Sequence, residues 1–252
     1  MNTRLVDYYD ALHDLTDEEV TALAKFHAED PSLLIRRFLK SVETVQRRDA
    51  IDEPFHGKRK EHPAAERVEI RRTIDLVTHL RGRVSCEVKG EKALDFRYVD
   101  YEIFPAREIG TEEPEPRRST DLLLANEQDR TPVVAELKIG GDKPAYFALV
   151  QALMLAAEFQ SAGQRARLKK HYPSEKLNWE DEGPYVDIYL LVFEAPATDN
   201  RQHSFQATKQ ISERLVENAR FAQVVRRIAY LKGTVLNNSV AFEKIFAFGR
   251  GL

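Results

Sequence analysis

A helix that is apolar on nearly every face must be covered on more than one side. The segment YFALVQALMLAAEF, residues 146–159, spells such a helix. Tyr146, Phe147, Leu149, Val150, Leu153, Met154, Leu155 and Phe159 surround its axis, and Gln151 is the only polar residue in its middle. It is too short to cross a bilayer, so it predicts a core helix, running from Lys143 to about Ser161. Asp142 can cap it, Pro144 stands in its first turn, and Gly140 and Gly141 separate it from the run before. That run, PVVAELKIG, alternates as a strand does: Val133, Ala135, Leu137 and Ile139 belong to one face, Val134, Glu136 and Lys138 to the other.

The flanking sequence predicts a layered α/β fold. Residues 121–125 read as a strand, NEQDR as a tight turn, and 131–139 as the next strand. FRYVDYEIF, 96–104, adds a strand before them, which makes a three-strand antiparallel meander. The loop PAREIGTEEPEPRRS follows 96–104. AAERVEIRRTIDLVTHLRG predicts a helix ahead of the meander, and YVDIYLLVFEA a strand behind the core helix. The intervening stretch, 163–183, is polar and reads as a loop. At the front, LTDEEVTALAKF offers Thr16 and Glu19 as a capping box. Asp30 and Pro31 open a further helix, with Leu34, Ile35, Phe38, Leu39 and Val42 at helical spacing. IDEPFHGKRKEHP reads as a linker. At the back, a long helix is expected from about Gln206 to Leu231, and SVAFEKIFAFG suits helix or strand. The division is a helical N-terminal region, 1–56, and an α/β domain, 57–252, with a mixed central sheet flanked by helices and C-terminal helices.

With 252 residues, 42% hydrophobic and 31% charged, the chain can build a large core under a solvated surface. A formal net charge of −3 demands no polyanionic partner, though it leaves room for a local basic face. Cys86 is the single cysteine, so no disulfide forms within this chain. No signal-like core opens the sequence and no stretch of about twenty apolar residues occurs. A cytoplasmic protein without membrane contact is therefore expected. The seven histidines lack zinc-site spacing, and no G-x-S-x-G, G-x-G-x-x-G or P-loop motif is present.

Charge in the middle of a covered sheet needs a partner or a metal. Glu136 and Lys138 fall in such a strand, and Asp121 opens its neighbour. The meander can bring both acids to one end. Two carboxylates and the backbone carbonyl of Leu137 make an all-oxygen set that suits Mg²⁺. Bound water would then be acidified, and Lys138 could orient it or stabilise charge on phosphate. A Glu136–Lys138 ion pair is the purely structural alternative.

Asp121 followed fifteen positions later by Glu136-Leu137-Lys138, with each acid on adjacent strands ahead of a helix, resembles the PD-(D/E)xK nuclease superfamily. The resemblance implies a restriction-endonuclease-like core of helix, three-strand meander, helix and strand, matched by residues 64–195. It implies Asp121 and Glu136 as metal ligands, Lys138 as the catalytic lysine, and Mg²⁺, or Mn²⁺, as cofactor. An acid on the preceding helix would complete the site, Glu69 being favoured over Glu66. Gln151 stands where the RecB-related branch carries a glutamine, although Leu155 replaces the tyrosine of that branch, and Thr120 replaces the proline of the superfamily motif. The substrate implied is nucleic acid, DNA first, with a homodimer as one way to cut two strands. Arg165, Arg167, Lys169 and Lys170, expected in a flexible loop, are the candidate phosphate contacts. The alternatives are an inactive scaffold of the same fold and a hydrolase acting on mononucleotides.

Overall fold

The computed structural model describes residues 4–46, 77, 83–88, 91–103, 119–139, 144–178, 185–193, 199–237 and 239–250. Three helices open it: α1 (Leu5–His13), α2 (Asp17–Glu29) and α3 (Ser32–Val45). Then come β1 (Arg83–Val88), β2 (Glu91–Ile103), β3 (Thr120–Asn126), β4 (Pro132–Ile139), α4 (Ala145–Glu158), α5 (Ala162–His171), β5 (Val186–Phe193), α6 (Asp199–Glu217), β6 (Val225–Leu236) and β7 (Ser239–Gly249).

The seven strands form one mixed sheet whose order follows the chain. β1 to β4 are antiparallel neighbours, β4, β5 and β6 are parallel, and β7 turns back antiparallel on β6. A parallel pair needs a crossover rather than a tight turn. α4 and α5 make the first crossover and α6 the second. The sheet curls. Phe96 of β2 and Phe242 of β7, separated by four strands, bring their rings to 5.8 Å. The concave face encloses Leu94, Phe96, Leu122, Leu124, Val133, Ala135, Tyr189, Leu191, Leu231 and Phe242. Gly233 sits on this face because a Cβ there would stand 2.3 Å from the Phe193 ring.

The convex face carries the helices and the larger core. The alternation expected in β4 is present: Val133 and Ala135 pack into the concave cluster, Val134 into the helical one. α4 is buried at every residue from Tyr146 to Ala157. Its inner side meets β4 and β5 and its outer side meets α1 and α3. That double cover answers the demand of an all-round apolar helix. Tyr8 of α1 and Tyr146 of α4 join by their hydroxyls at 2.8 Å, and the rings of Tyr9 and Phe147 lie 5.0 Å apart. The N-terminal helices therefore share one core with the sheet. The Thr16 box forms as expected: Glu19 N–H donates to the Thr16 hydroxyl, and Thr16 N–H donates to the Glu19 carboxylate. Asp30 accepts from the Ser32 N–H at 2.9 Å, at the start of α3.

Three expectations change. The last helix is not 206–231: α6 ends at Glu217, the Asn218 side chain accepts from the Phe221 N–H, and a strand begins at Val225. VRRIAYLKGTVL alternates between the two clusters, Ile228 in one and Ala229 and Leu231 in the other, so period two outweighs helix propensity. The tail is strand β7, so the C-terminus is a helix followed by a β-hairpin, not a helical extension. Part of the polar stretch after α4 is not a loop but helix α5, capped by Ser161, which accepts from the Gln164 N–H. The hairpin β1–β2 had no expected counterpart before residue 96. The linker at 51–63 and the loop at 105–118 lie outside the described residues. So does the helix expected ahead of the meander, save Val77, which is helical and buried in the concave cluster.

Candidate active site

The antiparallel register of β3 and β4 sets the site. Leu122 pairs with Ala135 and Leu123 with Val134, so one step further Asp121 reaches the level of Glu136 on the helix-covered face. Thr120, fully buried, ties the start of β3 by donating its hydroxyl to the carbonyls of Leu122 and Ala135. Asp121 Oδ2 accepts from the Leu137 N–H at 2.7 Å. The acid is thereby held over the half-buried third residue of the expected metal set.

Glu136 lies in a central strand, between Asp121 on β3 and Leu190 on β5. Its exposure is 0%, and neither carboxylate oxygen has a hydrogen-bond partner among the described residues. Burial pushes its carboxyl well above the usual range, the charge of Asp121 pushes it further, and Lys138 opposes both. Lys138 Nζ stands 3.9 Å from Glu136 Oε2 and donates to Gln151 Oε1 at 3.2 Å. Gln151, mid-way along α4, faces the sheet and fixes the ammonium. Asp121, Glu136, Lys138 and Gln151 thus meet at one place, the site-forming end of β3 and β4.

Other expected residues part company with this centre. Glu66 and Glu69 lie outside the described residues. Arg165, Arg167, Lys169 and Lys170 belong to helix α5, not to a flexible loop. Arg167 is buried and donates to Gln164 Oε1 at 2.6 Å, and Arg165 donates to the Gln160 carbonyl at 2.9 Å. Both bonds are local, one within α5 and one to the residue after α4; it is burial that makes Arg167 a poor phosphate contact. Lys169 and Lys170 are exposed in the last turn.

Sequence reasoning missed two neighbours. Asp100 sits on β2 beyond a bulge between Tyr98 and Asp100. Simple alternation would group it with Tyr98 on the concave side; the bulge sets it opposite Leu123 on the helix-covered face. There it accepts a short hydrogen bond from the Tyr172 hydroxyl. The backbone register also puts Glu102 across from Asp121, because Tyr101 pairs with Leu122 and Ile103 with Thr120.

The arrangement fits a hard divalent cation. A wholly buried carboxylate with unpartnered oxygens is costly unless its charge is matched, and a second carboxylate beside it sharpens the need. Among the described residues, no group of three or more His, Cys, Asp or Glu stands where it could hold a metal ion. Two carboxylates with water suit Mg²⁺, which keeps several of its waters.

The chain matches no family model, no curated protein and no solved structure. Among the described residues, no helix is long and apolar enough to cross a membrane.

Proposed function

We propose that the chain is a divalent-metal-dependent nuclease with a restriction-endonuclease-like core, hydrolysing phosphodiester bonds of nucleic acid, DNA first. One observation carries this reading: a fully buried Glu136, whose oxygens have no hydrogen-bond partner among the described residues, sits beside Asp121 and within 3.9 Å of the Lys138 ammonium. The order of elements supports it, since an antiparallel meander β2–β3–β4 leads to helix α4 and then to β5, parallel to β4.

In this reading Asp121 and Glu136 would hold Mg²⁺, or Mn²⁺, with Glu69, or Glu66, as the candidate third acid. When bound, the ion supplies acidified water and charge neutralisation at phosphate. The chain's own groups do the rest. Lys138 presents a positive charge where negative charge develops on the phosphoryl oxygens. Gln151 keeps that ammonium from collapsing onto Glu136, and the Leu137 N–H keeps Asp121 aimed.

The test is cleavage of plasmid and oligonucleotide DNA in Mg²⁺ or Mn²⁺. Lys138→Ala should lose activity by at least about 100-fold while its melting curve stays cooperative. Undiminished cleavage by that variant would remove Lys138 from the mechanism. The Lys138–Glu136 approach also supports a second reading, a scaffold of the same fold whose lysine neutralises the buried acid without metal. A scaffold neither cleaves nor binds the ion.

A further inference from the structure

The course of α4 and α5 brings a basic turn to the carboxylates. β4 reaches the site end of the sheet at Ile139. α4, with 14 residues, runs about 21 Å away from it, and α5, with 10 residues, returns about 15 Å. The return ends at Tyr172, whose hydroxyl donates to Asp100. Asp100 pairs across the ladder with Leu123, two residues from Asp121 and on the same face. Beyond Tyr172 the chain descends β2 away from the site. Arg97 grips Glu175 through both its carbonyl and its carboxylate, each at 2.7 Å, and Asn178 N–H reaches the Arg130 carbonyl at the β3–β4 turn. Within the segment 162–178, the turn that ends at Tyr172 is the part tied to Asp100, and it carries Lys169, Lys170 and His171, all exposed.

We propose that this turn is the rim on which the phosphates of a DNA duplex rest, with Tyr172–Asp100 as the tether that keeps the rim beside the carboxylates. The proposal rests on the nuclease reading and adds to it. It assigns binding to Lys169 and Lys170, removes Arg167 from it, and makes Tyr172 and Asp100 positioning residues. Charge carries the choice of partner: acidic centres repel a polyanion, so a neighbouring cationic surface has to supply the attraction.

The experiment measures binding of a short fluorescein-labelled DNA duplex in EDTA, where no hydrolysis runs, across a salt series. Wild type is compared with the Lys169→Gln/Lys170→Gln double variant and with Tyr172→Phe. The double variant should bind about tenfold more weakly, with a log–log salt slope shallower by about 1.8, or ~0.9 per lost phosphate contact. Tyr172→Phe keeps the ring packed and removes the donor; in Mg²⁺ it should raise KM several-fold and leave kcat near wild type. Basic side chains at a helix C-terminus also favour the helix dipole, so melting curves accompany the binding curves. A double variant that melts lower yet binds DNA with the wild-type affinity and slope overturns the rim. A wild type that binds through these lysines but never cleaves supports the rim and refutes the nuclease reading, whereas a wild type that binds no DNA refutes the rim itself.

Discussion

Glu136 concentrates the conflict on which the site depends. Burial at zero exposure, and then the charge of Asp121, push its carboxyl well above the usual carboxylate range. The folded form keeps a proton that an unfolded glutamate releases near pH ~4.3. Its contribution to stability is thus complete below that pH and declines as pH rises toward the raised folded value. Glu136→Gln, which cannot ionise, should melt higher than wild type at pH 8 without added metal, by several degrees, since ~1 kcal/mol moves a domain of this size about 2–4 °C. The advantage should shrink at pH 4.5. Equal melting temperatures at both pH values would show that the buried carboxylate carries no such penalty. The chemistry of this residue was legible in the sequence, because PVVAELKIG puts an acid and an amine on the same strand face and the next helix closes that face. The match of Asp100 with Tyr172 was not, because a bulge is invisible to a period-two reading.

At the scale of elements, α4 does more than fill space. It is enclosed by the sheet and by α1 and α3, and its one mid-helix polar side chain, Gln151, bonds Lys138. Gln151→Leu should keep the helix buried and leave the ammonium untethered, lowering kcat by roughly 10- to 100-fold through misplacement. Steady-state kinetics with a melting control checks this; unchanged kcat would make Gln151 a packing residue only. The cap of α2 offers a purely structural comparison. Thr16→Ala removes one side of a formed capping box and should cost ~1 kcal/mol, read as a fall in melting temperature, with cleavage unaltered. Sequence pattern placed α2, α3, β3, β4, α4 and β5 within a few residues, since each has strong periodicity and a cap or glycine break. It misplaced α6 and β6 because KQISERLVENARFAQVVRR is rich in helix formers throughout. The stop came from the Asn218 side chain and the apolar alternation beyond it.

Across the whole molecule, two cores share one curled sheet, and the site lies on the convex side where the larger core meets solvent. α1, α2 and α3 contribute Leu5, Leu12, Val20, Leu34 and Phe38 to the core that contains Leu149, Val150 and Leu153. Removing residues 1–46 should therefore expose the outer side of α4 and yield an aggregating or molten product, not a soluble α/β domain; a truncated chain with a sharp, wild-type-like thermal transition would show that the helices are an independent appendage. The curl could not be read from sequence, since closure depends on β1 meeting β7 and on Phe96 of β2 meeting Phe242 of β7, contacts between strands far apart in the sheet. The convergence of Asp121, Glu136 and Lys138 depends only on neighbouring strands and was legible in the sequence. Calorimetric titration of the metal-free protein with Mg²⁺ and Mn²⁺, set against Asp121→Asn, tests the site most directly. Saturable binding by wild type that weakens at least tenfold in the variant is the expected result, by analogy with the loss of a partner from a charged site. Heats of dilution alone from wild type, or identical isotherms from both proteins, would contradict a metal centre built on these two acids.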